Sequence, residues 1–193
     1  LRLSAKGENK EILEKELNNK VSEIYKLIPE IITGLDDDAS LEKRVGELLQ
    51  KNNKTICTAE SVTGGKIAAT LVAVPGASAY YKGSFITYTA ETKINLLDVS
   101  LETIKKNTVV SKAVALEMAK GAKEKLKTNY AIAVTGNAGP TTDHNDKSVG
   151  LVYIAIVSDE KEIVNEYNFG QPREKVINRT VSKTLETLQK ELQ

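Results

Sequence analysis

Segments with strand character alternate with segments of helical spacing along most of this chain. Thr55–Ala59 and Gly83–Tyr88 favour β-strands, and helical spacing follows each of them. Tyr130–Thr135 is a short continuous apolar run, which is typical of a strand buried on both faces. Strands that alternate with helices imply crossover connections and a largely parallel sheet covered by helices. The sequence therefore predicts a three-layer α/β/α sandwich.

The last segments predict that the sheet is mixed rather than wholly parallel. Val149–Val157 and Glu162–Phe169 flank a turn at Ser158–Lys161, so these two strands are expected to form a hairpin. Pro172 then begins a final helix that runs to about Leu192. The prediction is a mostly parallel, mixed sheet.

Helical spacing recurs in four earlier stretches, at Ser40–Lys51, Thr63–Val72, Glu91–Leu97 and Ser111–Leu126. Ser40 and Ser111 stand at the start of two of them, where a hydroxyl can accept a hydrogen bond from an unpaired backbone N–H. In the last stretch we expect Val114, Met118 and Ala122 on the inner side.

The N-terminal part of the chain is predicted to be separate. Residues 9–28 carry apolar side chains at helical spacing, which indicates an amphipathic helix that Pro29 ends or bends. Thr33–Ser40 has the polar composition of a linker. We therefore divide the chain into residues 1–39, a helical remnant or linker of an upstream domain, and residues 40–193, the main domain.

Charge and hydropathy exclude two classes of partner. The chain has 27 Lys and Arg residues against 26 Asp and Glu residues, a net charge of +1, so no overall positive field attracts nucleic acid. The longest apolar runs, such as Leu151–Val157, are far shorter than the ~20 residues that cross a bilayer. We expect a soluble, cytoplasmic protein that binds neither nucleic acid nor membrane.

Cysteine and histidine are too scarce for disulfide or zinc scaffolds. Cys57 is the single cysteine and lies in a predicted strand, where it is most simply a small core residue. His144 is the single histidine and lies in a polar loop, where we expect it to be solvated. The sequence therefore predicts no metal site, and serine–histidine catalysis would depend on His144 alone.

Two glycine-bearing loops directly follow predicted strands. In a parallel sheet the ligand crevice forms beyond the carboxyl ends of the strands, so both loops are expected to open onto one crevice. The first loop is Thr58–Lys66 and the second is Thr135–Pro140.

The first loop has two interpretations. Gly64 and Gly65 let the backbone approach a ligand, and the first N–H groups of the following helix attract a phosphate, a carboxylate or an oxyanion formed by attack of Ser61. Alternatively, the glycines only permit a tight turn that Ser61 or Thr63 caps.

Standard motifs are absent, and the identity of a base for Ser61 stays open. Glu60 and Ile67 break the phosphate-binding loop pattern, and neither the common serine-hydrolase motifs nor a dinucleotide fingerprint occurs. A base could be a lysine whose pKa falls from ~10.4 toward ~7–8. The candidates are Lys66, Lys82, Lys93 and the carboxylate of Glu60.

Several motifs in consistent order resemble the CinA C-terminal domain family. They are Thr58–Gly65, Pro75–Ser78, Gly83 with Tyr88 and Lys93, Val110–Ser111, and Thr135-Gly136-x-Ala138-Gly139-Pro140. The resemblance covers roughly Ser40 to Leu192, with departures at Val62, at Asn137 and over residues 141–146. The resemblance implies the activity of a nicotinamide-nucleotide amidase, which hydrolyses nicotinamide mononucleotide to nicotinate mononucleotide and ammonia.

The resemblance implies a role for each matching residue. Ser61 would be the nucleophile and Lys93 its activator, with Tyr88 beside them as the third catalytic residue. The residues implied to bind substrate are Thr63, Gly64, Gly65, Thr135, Gly136 and Arg173. The resemblance further implies a small-molecule nucleotide substrate, no metal or other cofactor, and a homodimer. The alternative hypothesis is a noncatalytic nucleotide-binding or assembly module that regulates a partner domain.

Overall fold

Residues 3–28, 40–141 and 148–193 are described by the structure, a computed structural model, and the chain divides into two units, residues 1–39 and Ser40–Gln193. In the first unit, helix α1 (Lys10–Leu27) begins after Asn9, whose side chain accepts a hydrogen bond from the Ile12 N–H. The predicted break at Pro29 and the predicted linker lie outside the described residues.

The second unit alternates strands and helices as predicted. Its elements are α2 (Leu41–Lys51), β1 (Ile56–Glu60), α3 (Lys66–Val72), a short 3₁₀ helix (Ala77–Ala79), β2 (Tyr81–Ile86), α4 (Ala90–Leu97), α5 (Leu101–Asn107), α6 (Lys112–Leu126), β3 (Tyr130–Gly136), β4 (Leu151–Val157), β5 (Glu162–Asn168) and α7 (Arg173–Leu192).

The five strands form one sheet in the order β2-β1-β3-β4-β5. β1 pairs in parallel with both β2 and β3, whereas β4 runs antiparallel to its neighbours β3 and β5. Four strands therefore share one direction and β4 opposes them, which confirms a mostly parallel, mixed sheet. The chain leaves β1 toward β2 and leaves β3 toward β4, so the loops after these adjacent strands diverge and open a crevice between them.

Alternate residues of the central strands face two apolar layers. Ile132 and Val134 of β3 belong to the layer formed with α2, α3 and α7. Ala131 and Ala133, on the other face, belong to the layer formed with α4 and α6. This arrangement confirms the three-layer α/β/α sandwich.

Helix α6 lies very close to its neighbours because its inner residues are small. Ser111 caps the helix as predicted, accepting a hydrogen bond from Val114, and Ala115 and Ala119 are fully buried. At Gly121 a β-carbon would lie 2.0 Å from the Leu97 carbonyl oxygen, so only glycine fits there. Within the described residues, no helix is both long and apolar enough to span a membrane.

Candidate active site

A cavity of about 330 Å³ opens beyond the carboxyl ends of β1 and β3. Both predicted loops contribute to it, as expected from the topology. Its lining residues are Ser61, Val62, Tyr88, Lys93, Val109, Val110, Thr135, Gly136, Asn137, Ala138, Gly139, Thr141 and Arg173.

Ser61 and Lys93 meet at the floor of this cavity. Ser61 is the first residue after β1, and its backbone N–H donates to the Val134 carbonyl of β3 at 3.0 Å. Lys93 extends from the first turns of α4, and its Nζ donates to Ser61 Oγ at 3.1 Å. The same Nζ donates to the Thr87 carbonyl at 2.7 Å, which fixes the direction of the amine.

The amine of Lys93 is enclosed by protein atoms. Only 1% of the residue is exposed, and no described ion pair includes it. Burial disfavours the charged ammonium form, which lowers the pKa of Lys93 from 10.5 to about 8. A lysine of this kind exchanges protons near neutral pH.

The other candidate bases lie elsewhere. Lys66 is exposed and donates to Asn178, and Lys82 is exposed on the edge strand β2. The carboxylate of Glu60 is fully buried against the start of α3. Of the four candidates, Lys93 alone contacts Ser61 in the described structure.

The expected anion site at the start of α3 needs correction, because Glu60 already fills it. Its carboxylate accepts hydrogen bonds from the backbone N–H groups of Gly65, Ile67 and Ala68 at 3.0, 3.0 and 2.7 Å. Thr63 Oγ1 also donates to it, at 2.7 Å. An internal carboxylate therefore takes the donors that a substrate phosphate or oxyanion would need.

The same geometry removes three predicted substrate-binding residues from the cavity. Thr63, Gly64 and Gly65 do not line it, although Ser61 and Val62 of the same loop do. Gly64 and Gly65 have positive φ angles of 59° and 98°, so they serve the tight turn of the alternative interpretation. The side chain that caps that turn is Glu60, not Ser61 or Thr63.

The second loop lines the cavity as predicted. Thr135 and Gly136 end β3 there, and Thr135 is 1% exposed. The Thr135 hydroxyl donates to the Val109 carbonyl at 2.8 Å, so its proton is already used and the oxygen is left as an acceptor. This bond also fixes the Val109–Val110 segment, which forms a wall of the cavity and to which the sequence assigned no site role.

Arg173 and Tyr88 stand together at the rim. Arg173 begins α7, and its guanidinium donates to the Gly139 carbonyl and to the Tyr88 hydroxyl, both at 3.0 Å. No described carboxylate pairs with Arg173. Tyr88 is 60% exposed, and its backbone carbonyl lies 3.5 Å from Lys93 Nζ. The rim therefore presents a positive charge beside an accessible aromatic ring.

Asn137 of the second loop also lines the cavity. Its Oδ1 accepts from the Gly139 N–H at 3.0 Å, whereas its buried Nδ2 has no hydrogen-bond partner among the residues that the structure describes. Of the departure over residues 141–146, residues 142–146 lie outside the described residues, His144 among them.

Cys57 does not line this cavity. Burial raises the pKa of the Cys57 thiol to about 11, against the lowering effect of a hydrogen bond with Thr128. In the part of the chain that the structure describes, no cluster of three or more His, Cys, Asp or Glu residues is placed to hold a metal ion.

This domain is an α/β sandwich in which a serine and a buried lysine are in contact. They meet at the switch point of the sheet, between β1 and β3. The chain belongs to the CinA C-terminal domain family, whose model matches residues 38–192. A CinA-like protein of Flavobacterium psychrophilum is 46% identical over 192 residues, which cover 100% of this chain and 46% of that protein. The chain thus spans about half the length of the curated relatives it matches.

Solved structures of the superfamily share the fold. A competence-damaged protein (CinA) superfamily protein from Klebsiella pneumoniae has a TM-score of 0.77 at 31% identity, covering 79% of this chain and 95% of that one. The competence/damage inducible protein CihA from Agrobacterium tumefaciens has a TM-score of 0.73 at 34% identity, covering 83% and 99%.

Proposed function

We propose that residues 40–193 form a nicotinamide-nucleotide amidase that hydrolyses the carboxamide of nicotinamide mononucleotide to nicotinate mononucleotide and ammonia. The observation that carries this proposal is the 3.1 Å contact between Lys93 Nζ and Ser61 Oγ at the floor of the cavity. Family membership supports it, because the residues in contact are those that the resemblance assigns to catalysis.

The first half of the reaction forms an acyl-enzyme. In its neutral form, Lys93 accepts the Ser61 hydroxyl proton as Oγ attacks the carboxamide carbon. The Val62 N–H follows the nucleophile directly, and Val62 lines the cavity, so we assign to this N–H the stabilisation of the oxyanion. The C–N bond then breaks, and Lys93 returns its proton to the leaving nitrogen, which departs as ammonia.

The second half releases the acid. Water attacks the ester carbonyl while Lys93 accepts one of its protons. The bond between Ser61 Oγ and the acyl carbon breaks, Lys93 returns the proton to the serine, and nicotinate mononucleotide leaves. Because one amine both takes and gives the proton, the residues present suffice for this route.

The rim supplies binding groups for the two charges of the substrate. We assign the 5′-phosphate to Arg173, which no described carboxylate neutralises, since the amides at the start of α3 are taken by Glu60. The cationic pyridinium ring suits the exposed face of Tyr88. The phosphate and the carboxamide would then lie at the two ends of one cavity.

Ammonia release from nicotinamide mononucleotide tests the proposal. We expect Ser61→Ala to reduce turnover to background and Lys93→Ala to reduce it by about 10²–10⁴-fold. Lys82→Ala, which removes an exposed lysine of β2, is the matched control and should keep parental turnover. Nucleotide binding without turnover by the parent chain would favour the noncatalytic binding module instead.

Family resemblance also supports a homodimer and a cytoplasmic location. It further supports the assignment of residues 1–39 to a helical remnant or linker of an upstream domain. Light scattering of the purified chain measures the first of these directly. A mass of twice 21.0 kDa is expected.

A further inference from the structure

Glu60 is a buried carboxylate that the chemistry above does not use. It ends β1, is 0% exposed, and no described ion pair includes it. An isolated buried charge is costly, and here four donors at 3.0 Å or less compensate it: the Thr63 hydroxyl and the N–H groups of Gly65, Ile67 and Ala68. These donors span the whole turn that follows Ser61.

The main chain of the same residue reaches the lysine side of the site. The Glu60 carbonyl accepts from the Thr87 N–H at 2.9 Å, and the Thr87 carbonyl accepts from Lys93 Nζ at 2.7 Å. Glu60 thus fixes the turn after the nucleophile through its side chain, and through its backbone it fixes Thr87, which follows β2 and contacts the base. Both partners of the Ser61–Lys93 contact are held by one residue.

We propose that Glu60 is a positioning residue: its carboxylate, acting as an internal anion at the start of α3, holds Ser61 Oγ in reach of Lys93 Nζ. This inference deepens the proposed function, on which its kinetic part rests. Glutamine at this position has nearly the same shape but only one acceptor oxygen. Its NH₂ group would face at least one of the four donors, so the turn would have to shift.

The test measures Ser61 directly, with an alkyl fluorophosphonate as the probe. Ser61 Oγ bonds to phosphorus, fluoride leaves, and the hydroxyl proton passes to Lys93. Intact-mass spectrometry follows the rate at which the adduct forms. A displacement near 1 Å can cost about 10²-fold, so we expect Glu60→Gln to slow the reaction by on the order of 10- to 10²-fold.

Two further readouts separate positioning from a general loss of structure. Burial is what lowers the pKa of Lys93, so the midpoint of the pH profile should stay near 8 in Glu60→Gln. Glu60 does not line the cavity, so KM for nicotinamide mononucleotide should stay within about twofold while kcat falls.

Glu117 provides a matched control. Its carboxylate accepts from the Ser100 N–H at 2.8 Å and the Thr103 hydroxyl at 2.6 Å, so it holds the start of α5 as Glu60 holds the start of α3. Glu117→Gln should keep the parental rate of phosphonylation. If Glu60→Gln does not fold, Thr63→Val removes one donor at 2.7 Å and should slow the reaction by about 3- to 10-fold.

Each outcome bears on one proposal. The positioning role would be overturned if folded Glu60→Gln reacted at the parental rate, or if Glu117→Gln lost as much rate as Glu60→Gln. If Glu60→Gln fails to fold, a parental rate in Thr63→Val would overturn it. The parent chain could also undergo Lys93-dependent phosphonylation without hydrolysing nicotinamide mononucleotide. That result would overturn the proposed substrate but not the positioning role of Glu60.

Discussion

Burial in the fold disfavours the charged form of the Lys93 side chain. In water its amine would hold a proton to above pH 10, but burial without a carboxylate partner brings its pKa to about 8. The Thr87 carbonyl accepts from the amine without neutralising it. The side chain is therefore ready to act as a base under mild conditions.

The pH profile of turnover should report this titration. We expect kcat/KM for nicotinamide mononucleotide to rise tenfold per pH unit below the pKa of Lys93 and to level off above about 8, because only the neutral amine accepts the Ser61 proton. Initial rates between pH 6 and 10 measure it. A midpoint near 10.5, the value for a solvated lysine, would contradict the assignment.

The same titration should appear in stability. Between the native pKa of about 8 and the usual 10.5, the unfolded chain holds a proton that the native Lys93 does not, so stability rises with pH over this window. Relative to Lys93→Met, the parent should gain up to about 3 kcal/mol in unfolding free energy from pH 8 to 10.5. Urea unfolding at several pH values measures it, and a difference that does not vary with pH would refute it.

Individual residues of the site were predictable to different degrees. Sequence placed Ser61 after a strand, but spacing could not choose among Lys66, Lys82 and Lys93, because burial depends on how α4 packs. Only the family resemblance selected Lys93 from the candidate bases. The burial of Glu60 was not predicted because a carboxylate before a turn is normally solvated, and its burial follows from the three-dimensional path of the chain.

At the scale of elements, α6 depends on close approach to α4. Gly121→Ala would place a β-carbon 2.0 Å from the Leu97 carbonyl oxygen. This oxygen belongs to the backbone, so it cannot move away as the end of a flexible side chain could. We expect unfolding free energy to fall by about 1–3 kcal/mol or more, although alanine is normally the better helix former. Thermal and urea unfolding measure the loss.

Lys120→Ala, one position earlier on the same helix, is the control. Its side chain pairs with Glu162 on the surface, where such pairs contribute about 0–1 kcal/mol. If the two variants were equally stable, the close contact between Gly121 of α6 and the Leu97 carbonyl would be contradicted.

Local signals predicted most elements but not all. The hydroxyl cap at Ser111 and the apolar run of β3 are properties of adjacent residues, so they were visible in the sequence. Helix α5 was missed because it is short and polar, and the group that caps its start is Glu117 of α6. A cap supplied from another helix leaves no local pattern.

For the whole molecule, the described cavity residues all belong to the second unit. We therefore expect a fragment of residues 40–193 to fold and to keep kcat/KM within about twofold of the full chain. Circular dichroism and the ammonia assay measure this. A fragment that is unfolded or loses activity more than about tenfold would show that residues 1–39 contribute to the site.

The first and last helices of this unit share one apolar layer. Val45 and Leu49 of α2 and Leu185 and Leu188 of α7 are buried in it, and the Asn52 side chain donates to the Leu192 carbonyl at 3.0 Å. Helix α7 therefore completes, together with α2, the cover of this face of the sheet. Arg173 begins this helix, so a substitution that loosens the packing of α7 on the sheet is expected to displace the cation at the rim of the cavity as well.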